Sequence, residues 1–174
     1  MGFQLSYRED FSNGLKRLIA DECKLVLEAI RQADGEQAKY DAVHLARTSF
    51  KKIRAALKLV RNTVDYYQEE NEWFRDRGRE ISDLRDAAAN LEILDQLREQ
   101  FKSQELDPTI EKLRAELLAY RDDLGEQKLN QERILETLEA KLEQKIPFVP
   151  DRPLQIDGYF DIRSNLKRSY EQGQ

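Results

Sequence analysis

The stretch AVHLARTSFKKIRAALKLVRNTV at residues 42–64 decides the fold, because it combines a helical apolar period with a separate row of cations. Its small and apolar residues recur every three or four positions, at Leu45, Ala46, Ser49, Ile53, Ala56, Val60 and Val64. At about 100° per residue these positions form one face of an α-helix that packs into a core. The stretch therefore predicts a long amphipathic helix.

The other face of this helix carries charges of one sign. Six lysines and arginines and no acid occur at residues 42–64. Six basic positions advance in steps of 3, 4, 3, 4 and 3, namely His44, Arg47, Lys51, Arg54, Lys58 and Arg61. We call this row the basic stripe. It lies within an arc of roughly 100° and extends along about 25 Å of helix. Lys52 lies outside this arc. Like charges at this spacing repel one another, so the stripe indicates an anionic ligand that offsets the repulsion.

Three interpretations of the basic stripe compete. Guanidinium and ammonium groups match phosphate oxygens well, which favours a polyanion site. Acids on neighbouring helices could instead neutralise the stripe, in a structural protein whose apolar helix faces assemble with itself or a partner. Nucleic-acid binding is a third hypothesis. Single-strand sites usually interleave aromatic residues with cations, and this face has only Tyr40 at its start, so phosphate without bases is favoured.

Working outward from this helix, glycine and proline are scarce enough to mark its neighbours. Five helices are predicted, over about residues 13–33, 37–64, 67–101, 107–145 and 159–171, with Ser12 or Asn13 capping the first and a kink or break across 125–133. The fold class is therefore all-α, an antiparallel bundle of long helices. We expect a four-helix bundle at residues 1–146, and a proline-rich connection with a C-terminal helix at residues 147–174.

Composition agrees with this fold class and excludes several others. Ala, Glu, Lys, Leu and Arg make up 85 of the 174 residues, which is typical of long helices. No apolar run approaches 18 residues, so no membrane-spanning helix and no membrane partner are expected. The single cysteine, Cys23, lies in the apolar stripe of the first helix, which indicates a buried structural thiol and a reducing, cytoplasmic compartment. The single histidine excludes the common histidine-rich zinc sites.

Catalysis is not expected from these residues. The sequence has no glycine-rich phosphate loop, no paired acids with metal-ligand spacing and no nucleophile beside a base. Asp122 and Asp123 are adjacent, so on a helix they point about 100° apart and do not converge. We therefore expect a binding protein without a metal or a cofactor.

Further basic residues recur at helical spacing elsewhere in the chain. Arg75, Arg79 and Ser82 step by four and three, and Arg85-Asp86 follows. Asp86 could hold an arginine in place rather than contact a ligand. Lys167, Arg168 and Tyr170 form a smaller basic end on the last helix.

Three motifs resemble those of the CHAD family, the conserved histidine α-helical domain. The run from His44 to Leu57, HLARTSFKKIRAAL, is similar to the first motif, with a histidine, an arginine three residues on, a basic pair and a further arginine. Leu84-Arg85-Asp86 with Leu91 and Leu94 resembles the second motif, and residues 166–170 resemble the tyrosine-containing basic motif that opens the family's second half. The chain departs from the family at Leu45, where an Asp is common, and at Glu171 and Gln172, where bases are expected.

The resemblance implies two pseudo-symmetric four-helix bundles around a basic cavity that binds inorganic polyphosphate, with some members on polyphosphate granules. This chain would supply roughly the first half. It would then be a fragment, a divergent half-length member, or one of two copies that complete the cavity in a homodimer. Carried over by position, the polyphosphate-binding residues are His44, Arg47, Lys51, Lys52, Arg54, Lys58 and Arg61, with Arg75, Arg79 and Arg85 second and Lys167 and Arg168 behind them.

Overall fold

A computed structural model describes residues 3–6, 8–100, 107–154, 156 and 159–171 of the chain. Within these residues it forms seven α-helices and no strand, so the all-α fold class is confirmed. The helices are α1 (Phe11–Gln32), α2 (Glu36–Leu59), α3 (Tyr67–Glu80), α4 (Ser82–Gln100), α5 (Asp107–Gly125), α6 (Ile134–Lys145) and α7 (Tyr159–Glu171). A π-helical turn (Glu126–Gln131) joins α5 to α6, and a 3-10 turn (Ile146–Phe148) follows α6.

The central element is α2, which packs against α1, α3, α4 and α7. Its apolar face is buried, with Val43, Ala46 and Ile53 fully inaccessible to solvent. Burial of such a face, rather than helix propensity alone, provides most of the stability of a helix in a protein. The amphipathic helix expected from residues 42–64 is therefore the core helix of the bundle, and its basic face is turned outward.

The end of α2 differs from the prediction. The helix ends at Leu59 and not near Val64. Asn165 of α7, which is fully buried, donates to the Leu59 carbonyl oxygen at 2.9 Å and accepts from Arg61 Nε at 2.9 Å. Contacts with a helix about a hundred residues away thus hold the end of α2, and Arg61 lies in the turn beyond it.

The helix predicted over residues 67–101 is two helices. The break lies at Ile81, which is 1% exposed. The Ser82 hydroxyl donates to the Arg79 carbonyl oxygen at 2.9 Å, so a local bond satisfies one of the backbone groups freed there. Phe101, the predicted end, lies outside the described residues. The nearest glycine, Gly78, lies inside α3 and does not end it, so the sequence pattern did not show the break.

The interruption expected across residues 125–133 is present. The π-helical turn occupies its first part, and Arg133, with a φ of 49°, is left-handed immediately before α6. Gly125 makes room for α2 at this point, since a Cβ there would lie 2.6 Å from the Tyr40 hydroxyl oxygen. Tyr40 donates to the Arg121 carbonyl oxygen at 2.8 Å, which ties α2 to α5.

The N-terminal helix begins two residues earlier than predicted. Asp10, not Ser12 or Asn13, is its cap, and the Asp10 carboxylate accepts from the Asn13 backbone N–H at 3.0 Å. Cys23 lies in the buried stripe of α1, as expected, and burial raises the pKa of its thiol to about 12. A thiol with such a pKa is almost entirely protonated at neutral pH and therefore unreactive.

The C-terminal part of the chain packs against the rest of the bundle. Leu154, Ile156 and Ile162 are buried in the same hydrophobic core as residues of α1 and α2. The division into residues 1–146 and 147–174 remains a prediction. In the part of the chain that the structure describes, no helix is both long and apolar enough to cross a membrane.

Candidate functional site

A groove of about 200 Å³ lies between α2 and α3, and every charged residue that lines it is a cation. We call it the basic groove. Its lining residues are Arg47, Phe50, Lys51 and Arg54 of α2, Phe74, Arg75, Gly78 and Arg79 of α3, and Ser82 at the start of α4. Because the helical period places three stripe residues on one side and two arginines of α3 on the other, five cations face one space.

Two of the arginines are held in place by neutral oxygen acceptors. Arg47 Nη1 donates to the Ser82 carbonyl oxygen at 2.9 Å, and Arg54 Nε donates to the Asn71 side-chain oxygen at 3.0 Å. Bonds of this kind fix the plane of a guanidinium group without cancelling its charge. The remaining N–H groups of each fork stay available to an anion.

The other cations of the basic groove differ in how far they are neutralised. Lys51 and Arg79 are exposed, and neither makes an ion pair with another described residue. Arg75 donates from Nε to Asp76 at 2.8 Å, and this bond lowers the pKa of the Asp76 carboxyl below its usual value. Asp86 reaches Arg47 Nη1 at 3.1 Å from the rim, with 64% of its side chain exposed. The groove therefore keeps a positive balance.

The aromatic residues of the basic groove are buried beneath its cations. Phe50 and Phe74 are each 1% exposed, and their ring centroids lie 5.7 Å apart. Trp73 packs its ring edge-on against Phe74, with the centroids 4.9 Å apart. At Gly78 a Cβ would lie 3.9 Å from the Phe50 ring, so the missing side chain leaves the groove open. The base of the site is therefore apolar and closely packed.

A comparison with protein-family models matches residues 23–172 to the model described as CHAD domain. The chain belongs to the CHAD-domain family. Neither curated proteins nor solved structures gave a match. The match covers α2 with its basic stripe, the whole basic groove and α7, and leaves out the start of α1 and the segment before it.

Five of the twelve site residues predicted from the sequence line the basic groove of this CHAD domain. They are Arg47, Lys51, Arg54, Arg75 and Arg79. Sequence analysis missed Asn71 and Gly78, although both share the face of α3 that carries the two arginines. The steps from residue 71 to residues 75, 78, 79 and 82 are helical, so this spacing was a usable signal.

His44 and Arg85 line a different cavity. It has a volume of about 330 Å³ and lies between α2, α4 and α5, where arginines alternate with acids. Arg85 donates to both carboxylate oxygens of Glu92, at 3.4 and 3.2 Å. We call this cavity the mixed-charge pocket, because carboxylates that line it neutralise most of its cations. His44 is exposed and makes no ion pair with the other described residues.

The remaining predicted residues lie in the C-terminal part of α2, in the turn beyond it and on α7. Lys52 donates to the buried carboxylate of Glu22 at 3.1 Å, which makes it a contact between α1 and α2. Lys58 is exposed beside a separate apolar pocket, and Arg61 is bonded to Asn165. On the exposed surface of α7, Lys167 lies 3.7 Å from Glu171, and Arg168 has no ion-pair partner among the described residues.

The geometry of the basic groove suits the binding of an anion that carries several charges. Among the described residues no group of three or more His, Cys, Asp or Glu side chains converges as metal ligands would. Three acids, Glu72, Asp76 and Asp86, contact arginines of the groove and are bonded to these arginines rather than paired with each other. The groove thus offers an anion electrostatic attraction and hydrogen-bond donors.

Proposed function

We propose that this CHAD domain binds inorganic polyphosphate in the basic groove and does not catalyse its conversion. The observation that supports this function is the set of five cations around one space with no carboxylate among the lining residues. Arginine forks and lysine ammonium groups form charge-assisted hydrogen bonds with phosphate oxygens. A chain of phosphoryl groups offers such oxygens at every unit.

The buried aromatic residues favour polyphosphate over single-stranded nucleic acid. Sequence-tolerant nucleic-acid sites present aromatic faces on which bases stack. Here Phe50 and Phe74 are buried at the base of the groove and offer no free face to a base. A ligand without bases does not need stacking contacts, so the burial of these rings does not weaken its binding.

The first experiment removes the three groove cations of α2 together, as Arg47→Ala, Lys51→Ala and Arg54→Ala in one variant. Retention of long polyphosphate on a filter should fall at least tenfold, since three charge-assisted contacts are lost. The matched control removes three exposed cations elsewhere, as Lys24→Ala, Lys112→Ala and Arg133→Ala, and changes net charge equally. If both triple variants lose the same affinity, binding is non-specific attraction and the proposed site is wrong.

Two further measurements separate the competing functions. Single-stranded DNA should compete with polyphosphate only weakly, whereas a nucleic-acid protein would show the reverse order. Polyphosphate incubated with the protein and magnesium should keep its length distribution on a gel. Shortening of the chains would show an enzyme and overturn the non-catalytic part of the proposal.

The cellular setting belongs to the same proposal. A protein that binds polyphosphate would be found in the cytoplasm and on polyphosphate granules, which fluorescence tagging of wild type and of the triple groove variant can test.

A homodimer that completes the cavity predicts a doubled mass in light scattering when polyphosphate is added. A mass that stays monomeric with the ligand bound would remove the second copy from the proposal.

A further inference from the structure

An apolar pocket of about 630 Å³ lies at the C-terminal end of α2, apart from the basic groove. Eight of the residues that line it are apolar, among them the buried Leu15, Leu18 and Ala56. Gln4, Lys58 and Ser169 are its polar lining residues. Small-molecule sites in proteins have this volume and this mixture, with a mostly apolar lining and a few polar groups that orient the ligand.

The pocket is built in part by residues that precede the family match. Phe3 and Leu5 line it from the N-terminal segment. Leu5 is seated closely on α1, because Gly14 has no side chain at a place where a Cβ would lie 2.7 Å from the Leu5 methyl group. Arg17 fastens the segment by donating to the Gln4 carbonyl oxygen at 3.2 Å and, from Nε, to Glu9 at 2.8 Å.

One charge stands beside this apolar space. Lys58 is the single charged lining residue, it is exposed, and no carboxylate of the described residues pairs with it. Arg54 lies one helical turn before Lys58, so their side chains are neighbours on the surface of α2. Arg54 uses Nε for Asn71, and its terminal nitrogens have no other partner among the described residues. An anionic group at the mouth of the pocket would meet both cations.

We propose that the apolar pocket binds a dissolved single-chain alkyl or prenyl phosphate, with the hydrocarbon chain inside and the phosphate on Lys58. Removing the methylenes of the hydrocarbon chain from water supplies most of the affinity. The phosphate gives orientation, since a group with two negative charges can contact Lys58 and Arg54 together. The apolar pocket and the basic groove are different cavities, and Arg54, between them, is the one residue that would contact both ligands.

Calorimetric titration with decyl phosphate below its micelle concentration tests the proposal, with decanol as the probe that lacks the head group. Ala55→Phe fills the mouth of the pocket from an exposed position of α2 and should lower decyl phosphate affinity at least tenfold. Ser169→Phe narrows the same mouth from α7 and serves if the first variant does not fold. Ala140→Phe, at an exposed position of α6 that does not line the pocket, is the matched control.

The role of the Lys58 ammonium group is tested with Lys58→Met. This variant should lower the affinity for decyl phosphate about tenfold, because one charge-assisted hydrogen bond is lost. Its affinity for decanol should be unchanged. Polyphosphate retention by Ala55→Phe should equal that of wild type, which keeps the two sites distinguishable. The proposal is overturned if the wild type binds no decyl phosphate. That result is expected if a second copy or a segment of this chain fills the pocket instead. Equal binding by the filled variants also overturns the proposal, as does recruitment to phosphatidic acid vesicles without decyl phosphate binding.

Discussion

Arg47 shows how a single residue of the basic groove can be both anchored and restrained. Its Nη1 donates to the Ser82 carbonyl oxygen and to the Asp86 carboxylate. The bond to Ser82 leaves the positive charge of Arg47 uncompensated. The bond to Asp86 instead brings a negative charge to the rim of the groove, where polyphosphate would bind. Asp86 thus competes with the proposed ligand for Arg47.

Replacing Asp86→Asn should therefore strengthen polyphosphate binding by about two- to fivefold, in line with an exposed ion pair of about 0.5–1 kcal/mol. Arg47 keeps its orientation because the bond to Ser82 remains. Asp83→Asn removes the same charge one turn earlier on α4, from an exposed side chain without an ion-pair partner among the described residues, and is the control. Weaker binding by the Asp86 variant in a filter titration would show that Asp86 positions Arg47 instead.

At the scale of the helix, α3 contributes to the basic groove as much by an absent side chain as by its arginines. Gly78 opens the groove, and its nearest neighbour is Phe50 at 3.9 Å from the position of a Cβ. That separation is ordinary van der Waals contact. Alanine should fit at residue 78, whereas a long acidic side chain should fill the groove.

Gly78→Ala is accordingly expected to stabilise the protein by about 0.5–1 kcal/mol, the usual advantage of alanine over glycine in a helix, while polyphosphate retention is preserved. Gly78→Glu should abolish retention, because it places a carboxylate among five cations. Thermal unfolding and filter retention measured on both variants check the pair. Full retention by the glutamate variant would place the ligand outside the groove.

The N-terminal segment and α1 are joined by a pH-sensitive contact. Hydrogen bonds from Arg17 and from the Ser6 backbone N–H lower the pKa of the Glu9 carboxyl from its ordinary 4.5 to about 2. A carboxyl whose pKa is lower in the folded state than in the unfolded state stabilises the fold above the unfolded value. The contribution is therefore complete above about pH 4.5 and is lost as the pH falls through about 2.

This predicts a stability gap between wild type and Glu9→Gln that is constant above pH 5 and closes as the pH approaches 2. Thermal unfolding of both proteins across that range measures the gap. Glu28→Gln, at an exposed position of α1 whose side chain has no partner among the described residues, should show no gap at any pH. A gap that persists at pH 2 would assign the stabilisation to a contact other than the Glu9–Arg17 pair.

In the whole molecule, α2 and α7 are joined through one buried amide. Asn165 bonds Arg61, the Leu59 carbonyl oxygen and Asn62, the last at 3.1 Å. Asn165→Ala leaves these groups without partners in a buried place, and each unsatisfied group costs about 1–3 kcal/mol. We expect a loss of about 2–3 kcal/mol in urea unfolding, against less than about 0.5 kcal/mol for the exposed Arg163→Ala.

The sequence predicted those parts of the molecule that depend on a local period. The all-α class, the buried face of α2 and the convergence of Arg47, Lys51 and Arg54 follow from spacing along one helix. The end of α2 and the break at Ile81 did not, because Asn165 and the core set them from elsewhere in the chain. The separation of His44 from the groove cations likewise depends on where α4 and α5 pack.

Trp73 gives the molecule an optical reporter of its own. It is the only tryptophan in the chain, and its ring meets Phe74, which lines the basic groove. Lys145 Nζ and the Arg77 guanidinium lie 5.4 and 5.7 Å from the centre of its indole. Indole emission responds to nearby charge. An anion that enters the groove should therefore change the wavelength and intensity of the Trp73 emission, so that ligand binding can be followed in real time without a dye.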